Sequence, residues 1–190
     1  MGKVRGAAEG VSILAEDRDD QGQDTDCITG LHKHQGASRW YGCAKKRGRQ
    51  SVGKSRGGWN TKLHMVAASD RDAVVFDLSS GNCGDGPQGR KLLQKRGKIK
   101  KPTILLMDRA YEGNETRALA KELGYIPVVP PKRNRIDPWE YDKRLYKRRN
   151  EIERLFRRIK RFRRVFTRYD KLDVLYMAFV LLALIVDNLM

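Results

Sequence analysis

The sequence runs to 190 residues, enough to bury one moderate core and too few for two full domains. Its 40 Lys and Arg against 23 Asp and Glu leave a formal net charge of +17, which points to a polyanionic partner. Nucleic acid is the commonest such partner, with ribosomal-type or merely solubilising charge as the alternative, while three cysteines without a Cys-x-x-Cys pair argue against a disulfide framework or zinc site and fit a reducing cytoplasm.

Residues 1–52 scatter Gly, Asp, Arg and Gln without a period of 2 or 3.6, so they are expected to be largely disordered, and Met1 to Asp20 has no apolar core of a signal peptide. The ordered domain is expected over 53–190. Thr61 to Ala68 and Ala73 to Leu78 are β-rich runs joined by the turn-like Ser69-Asp70-Arg71-Asp72, which reads as a hairpin. Leu92 to Lys101 includes a short basic connection. Pro102 then introduces Thr103 to Met107, a continuous apolar run of buried-strand type that leaves Asp108 at the strand's C-terminal end.

Glu112 to Leu123 has helical spacing and Gly124 as its stop, and Ile126 to Val129 is a second buried strand closed by Pro130-Pro131. Strand, helix, strand in this order predicts a parallel βαβ unit. Residues 132–138 read as a basic loop. A long helix from about Glu140 or Lys143 to Phe166 follows, then a break around Thr167 to Lys171. Leu172 to Val186 is the one long apolar run; it is interrupted by Asp173 and short for a bilayer, which predicts a buried helix rather than a membrane span.

On an ideal helix Tyr146, Arg149, Glu153 and Lys160 project within an arc of roughly 60°. The apolar Ile152, Leu155, Phe156, Ile159, Phe162 and Phe166 lie a third of a turn or more away, and Arg154, Arg157, Arg158 and Arg161 fill the remaining side. One helix therefore has a core face, a polar stripe and a cationic face. Spacing alone is equally met by an ordinary amphipathic helix in which Glu153 pairs with Arg149 or Arg157 at i,i+4. Asp108, likewise, is either a ligand or a cap on the turn that follows its strand.

The series Tyr146-x2-Arg149-x3-Glu153-x6-Lys160 resembles the signature around the third carboxylate of DDE transposases of the IS-four and IS-five groups. Leu105-Leu106-Met107-Asp108-Arg109-Ala110-Tyr111 is similar to the strand bearing that family's second Asp. Gly53 to Lys62 resembles the basic approach to its second strand, and Pro130 to Arg135 its segment before the third carboxylate; together the likeness spans about Ser51 to Leu189. The resemblance implies an α/β, RNase H-like mixed sheet with flanking helices. It also implies Mg²⁺-dependent (or Mn²⁺-dependent) DNA cleavage and strand transfer at transposon ends and target DNA.

By that likeness Asp108 and Glu153 are the catalytic metal ligands, since hard divalent cations favour carboxylate oxygens and two of them ~4 Å apart serve phosphodiester chemistry. Lys160 contacts DNA near the transposon end, and Arg149 orients Glu153 or holds a phosphate. Tyr146, Arg157 and Arg161 complete the expected DNA-binding set. A bacterial, cytoplasmic, nucleoid-associated protein is implied, with a homo-oligomer left open and no membrane.

The sequence departs from the pattern at the family's first Asp, which lies on an opening strand of the form Asp-Ser-x-x-Ile-Lys-x-His. Gly30 to Ala44 occupies that place and shows little strand alternation. Back-translated with allowed codons and read one base later, those residues give Asp-Ser-Ile-Ser-Ile-Lys-Val-His, which suggests a shifted reading frame. The first strand of the sheet is accordingly expected to be missing, with the Thr61 to Ala68 strand left without a neighbour on that side. Asp17, Asp24 and Asp26 are nearby carboxylates that no expected strand presents. The alternative to an enzyme is a catalytically silent basic DNA-binding remnant or transposition regulator.

Overall fold

The computed structural model describes residues 10–16, 48–55 and 58–190. Its organising strand is β3 (Gly58–Ala67), in which every residue from Asn60 to Ala67 is buried, as expected of a strand covered on both faces. The Ser69 hydroxyl builds the following turn, receiving the amides of Arg71 and Asp72 at 3.1 Å and donating to Asp72 Oδ2 at 2.7 Å. The predicted hairpin then returns as β4 (Ala73–Ser80), antiparallel to β3 with Leu63 opposite Leu78. A short β2 (Gly53–Ser55) pairs with the start of β3.

The other edge of β3 is not open. A strand β1 (Gly10–Glu16) lies antiparallel to it, with Ile13 opposite Val66, and parallel to β5 (Thr103–Met107), with Ile13 opposite Met107. The expectation that residues 1–52 are largely disordered is therefore corrected for Gly10–Glu16 and for residues 48–52, where Ser51 is buried, and the expected empty sheet position is filled by β1. The run Val11-Ser12-Ile13-Leu14 is too short, in Gly- and Asp-rich surroundings, to stand out by period. Its strand state is supplied by ladders on both sides, a tertiary effect that local propensity does not report. Residues 30–44, including the segment with the shifted-frame reading, lie outside the described residues, as do Asp17, Asp24 and Asp26.

A helix α1 (Asp85–Arg96) precedes β5, where the sequence suggested only a connection. Gly84, Gly86, Pro87 and Gly89 disguise it. Pro87 falls in the first turn, where a missing N–H costs nothing, and Gly89 lets the helix approach Tyr111, since a Cβ there would lie 2.4 Å from that ring. The β5, α2 (Asn114–Glu122), β6 (Tyr125–Val128) unit forms as expected, with β5 and β6 parallel and Gly124 at φ 93° ending the helix.

The expected single long helix is broken. It runs as α3 (Lys143–Tyr146), a 3₁₀ turn (Lys147–Arg149) and α4 (Asn150–Ile159), then stops where Phe162 takes an extended ψ of 112°, before α5 (Arg163–Phe166). No Gly or Pro marks the break. It turns Val165 into the core occupied by Ile159, and the Tyr176 hydroxyl donates to the Val165 carbonyl at 3.0 Å, so packing overrides helix propensity.

The last helix, α6 (Asp173–Leu189), packs with α4 on one face of the sheet against Leu63, Met65 and Leu78, while α1 and α2 cover the opposite face around Leu105, Met107 and Tyr111. The helix is buried on one side only, which narrows the expectation of a buried helix. No helix among the described residues is long and apolar enough to cross a membrane.

Asp173 and His64 are among the polar groups built into this interior. Asp173, at the start of α6, receives the Ser51 amide at 2.7 Å, the Ser51 hydroxyl at 2.6 Å and the Arg168 guanidinium at 2.7 Å. Burial alone would raise its pKa, but these hydrogen bonds outweigh it and hold the carboxyl below its ordinary value. His64, 1% exposed, is fixed between the Tyr111 hydroxyl at 2.8 Å and Ser79 Oγ at 2.7 Å.

Burial lowers the His64 pKa from 6.5 to about 4, so the folded protein keeps it neutral while the unfolded chain takes up a proton below 6.5. Stability should therefore fall as pH drops from about 6.5 toward 4, with about 2 kcal/mol lost between pH 7.5 and 5. Denaturant unfolding at the two pH values checks this. A His64→Gln variant should lose most of the pH dependence, and an unchanged slope in it would assign the effect to other groups.

Candidate active site and DNA interface

Asp108 ends β5 because Leu105, Leu106 and Met107 before it are buried and the chain then turns out of the sheet. Its Oδ1 accepts from the Arg109 amide at 2.5 Å and its carbonyl from the Tyr111 amide at 2.9 Å, closing one 3₁₀ turn (Arg109–Tyr111). The capping role left open by the sequence is thus present, and the half-buried carboxyl sits at the rim of the parallel strands. Parallel β1 ends at the same rim with Glu16, whose backbone is opposite Leu63.

The next residue but three is a second organiser. Glu112, with 6% of its side chain exposed, pairs with Arg135 at 3.0 Å and Lys132 at 3.4 Å, and Arg135 also reaches Asn114. The Arg135 guanidinium lies 4.5 Å from the centre of the Trp139 ring and that of Arg117 3.5 Å from it, while the indole N–H donates to the Val129 carbonyl at 2.8 Å. The basic loop after β6 is therefore clamped onto the turn that carries Asp108. Sequence reasoning missed Glu112, Arg135 and Trp139 in these roles. Their pairing joins residues 23 apart, and no local period signals it.

The clamp leads into α3, whose first turn is capped by Asp142, accepting from the amides of Arg144 at 2.7 Å and Leu145 at 3.0 Å. Tyr146 meets Tyr141 edge-on with ring centres 5.6 Å apart. Burial raises the Tyr146 pKa; Arg149 opposes this, and the nearby Asp108 carboxylate pushes it up further. Arg149 in turn lies 5.7 Å from the Tyr146 ring and binds Glu153 at 2.8 Å, the i,i+4 pair that the amphipathic-helix reading required. The 3₁₀ turn at Lys147–Arg149 packs against β5 and α4 packs across β1.

Tyr146, Arg149 and Glu153 are thus linked by successive contacts, on a turn that packs against β5, the strand that Asp108 follows. Lys160 caps the far end of α4, about 10 Å of helix rise beyond Glu153. Arg154, Arg157 and Arg161 are exposed, whereas Arg158 turns away from that face to bind Asp187 at 2.8 Å and Asp70 at 3.6 Å. Among the described residues no group of three or more His, Cys, Asp or Glu converges as a metal cage.

A family model described as "Transposase DDE domain" matches residues 28–187 of this sequence. The chain belongs to that transposase family. A Brucella ovis protein described as a transposase for insertion sequence element IS6501 is 34% identical over 128 residues, covering 65% of this chain and 93% of the relative. The function of the DDE transposase domain is DNA transposition, and this chain is a transposase of the insertion-sequence kind. Among solved structures, a piggyBac transposase in a synaptic complex with hairpin DNA matches at 14% identity and a TM-score of 0.39. The match covers 67% of this chain but 24% of that one, a likeness too distant to bear on fold or site.

The clamp on the DDE domain's Asp108 turn is open to direct test. Replacing Glu112 by Gln leaves the largely buried Arg135 without its counter-charge and should cost about 1–3 kcal/mol, while the exposed Arg133→Ala should cost less than about 0.5 kcal/mol. Chemical denaturation measures both, and limited proteolysis should cut within 130–138 faster in the Glu112 variant. Equal effects of the two substitutions would show that the clamp carries no stability.

Proposed function

We propose that this chain is an RNase H-like transposase catalytic domain that holds DNA through its cationic face and one divalent cation through Asp108 and Glu153. The observation that carries the reading is the set of contacts Tyr146–Arg149–Glu153 on a turn and helix that pack against β5 and β1, with residue types that match the pattern of the family. The two carboxylates fit Mg²⁺ or Mn²⁺ in donor chemistry, being hard oxygen ligands on a strand end and a helix. A cation bound there would polarise a phosphodiester oxygen and supply positive charge for the leaving oxygen.

The chain's own residues do the rest. Arg149 holds Glu153 aligned until a cation or phosphate competes for it. Lys160, Arg157 and Arg161 neutralise phosphates of transposon-end or target DNA without reading sequence. The domain comprises residues 48–190 together with β1, and DNA binding of this kind would keep it in the bacterial cytoplasm, on the nucleoid.

Two carboxylates suffice for one cation and not for a two-cation clamp, so this chain alone binds DNA and leaves it uncut. A silent DNA-binding or regulatory role is the second reading, favoured by the absence of an Asp on β1.

Three phosphate contacts predict an affinity loss of roughly 40-fold between about 50 and 200 mM salt, measured by gel or filter binding. Reversing Arg157 and Arg161 to Glu should weaken binding to all sequences alike, and affinity insensitive to salt would refute the DNA interface. Titration calorimetry with Mg²⁺ should show weak binding that both Asp108→Asn and Glu153→Gln remove. In a nicking assay the chain should leave DNA intact. Nicking that survives both substitutions would overturn the ligand assignment, and nicking abolished by Glu16→Gln would instead make the end of β1 a third ligand.

A further inference from the structure

Between Asp85 and Asp108 the chain carries no acidic residue, while it carries seven Lys and Arg, six of them packed into Lys91 to Lys101. All six are exposed. Two have a structural reason to be there: Lys95 and Arg96 lie in the last turn of α1, where cations suit the helix dipole, and Lys95 also donates to the Phe76 carbonyl at 3.2 Å. Lys98, Lys100 and Lys101 lie beyond the helix and, like Lys91, form no ion pair among the described residues.

The turn that bears them is fixed in place. Gly97, at φ 79°, leads the chain out of α1 with its amide on the Leu93 carbonyl at 2.9 Å. Two residues on, Ile99 packs half-buried against the core around Leu105 and Tyr125, and its amide donates to the Leu123 carbonyl at 3.0 Å. Lys98 and Lys100 stand on either side of that anchor. Lys121 and Glu122, exposed at the end of α2 just before Leu123, add one charge of each sign and leave the excess as it was. An apolar anchor set between lysines holds like charges together that would otherwise spread apart, and a polyanion relieves their repulsion.

We infer that this turn is a second DNA-backbone site, distinct from the cationic face of α4, and that one chain can hold two stretches of duplex. Its placement carries the inference. Lys101 precedes β5 and Asp108 follows it, so the lysines stand at the opposite rim of the parallel strands from the candidate active site, about 17 Å of strand away. α1 and α2 also cover the opposite face of the sheet from α4. A duplex on Arg157 and Arg161 therefore has the sheet between it and Lys98, and the DNA on the turn is another stretch. Lysines act there as point charges on phosphates and do not read bases. A lipid surface suits the turn less, since no large apolar side chain between Asp85 and Thr103 is exposed for insertion. Holding two duplexes at once rests on the DNA reading of α4; the site on the turn does not.

A bridging assay tests this: one duplex on beads, the intact chain, and a second, labelled duplex of unrelated sequence, in about 0.1 M salt. The beads should capture the labelled duplex only when the chain is present. Lys98→Glu with Lys100→Glu should cut capture at least about tenfold, while affinity for a single duplex falls less than about threefold because the α4 face remains. Arg71→Glu with Arg133→Glu removes the same charge from exposed positions elsewhere and should leave capture unchanged. If circular dichroism shows the Glu pair to be misfolded, Lys98→Gln with Lys100→Gln replaces it and should lower capture in the same direction. Absence of capture by the wild-type chain overturns the inference, as does capture unaffected by the lysine substitutions or equally lost in the Arg71 and Arg133 pair. Arg157→Glu with Arg161→Glu separates the two readings: it should abolish capture and leave single-duplex binding that Lys98→Glu with Lys100→Glu then removes. Binding to anionic lipid vesicles that the lysine pair abolishes, with duplex capture intact, would assign the turn to a membrane surface and overturn the inference.

Discussion

The structure turns on one buried ion pair, Arg168 with Asp173, whose side chains are 8% and 5% exposed. Removing two charges from water costs several kcal/mol each, and such a pair is tolerable only when the remaining hydrogen-bonding positions are filled. Here they are. Arg168 donates to Asp173, to Thr61 Oγ1 at 2.8 Å and to the carbonyls of Asp170 and Lys171, while Asp173 also takes both donors of Ser51. Three remote pieces of chain meet in this knot: the approach to β2, the centre of β3 and the start of α6. Without it the last helix would rest on apolar contacts alone, and α4, packed beside α6 on the same face of the sheet, would lose part of its support.

That dependence reaches the candidate site. Glu153 is presented by a helix whose opposite face, Ile152, Leu155, Phe156 and Ile159, is held by the same core as α6. Arg158 tightens the arrangement by binding Asp187. The hydrogen bonds that Arg158 donates to Asp187 raise its already high pKa, so this cation is committed to structure rather than to a polyanion. On the sheet side, Glu112 fixes the Asp108 turn to the loop that leads into α3. Both candidate carboxylates are therefore positioned through largely buried charge pairs, Glu112 with Arg135 and Arg158 with Asp187.

Much of this was legible in the residues. Thr103 to Met107 followed by Asp108, and the Gly124 stop before β6, read correctly because each rests on a local rule: a buried apolar run, a left-handed glycine. The spacing from Tyr146 to Glu153 survived the 3₁₀ turn because Arg149 still reaches Glu153 at 2.8 Å. What could not be read depends on distant partners. The break at Phe162 comes from where Val165 packs, α1 is hidden behind glycines that exist to admit Tyr111, and β1 owes its form to β3 and β5. The Glu112 clamp belongs to the same class, since its placement follows from the fold and not from its neighbours in sequence.

β1 joins two halves of different construction, an antiparallel hairpin system around β3 and the parallel pair β5 and β6. Its ladders on both sides are made of main-chain hydrogen bonds and ask little of the side chains beyond alternation. The sheet therefore offers a slot, and a slot can be contested. A strand read from the shifted frame, bringing its Asp with it, could not simply be added to this fold: it would have to displace Gly10–Glu16 from between β3 and β5, in both registers at once. The same segment of sheet would then exist in two versions, one ending in Glu16 and one carrying an Asp, exchanging a seven-residue cassette while the rest of the scaffold stays in place.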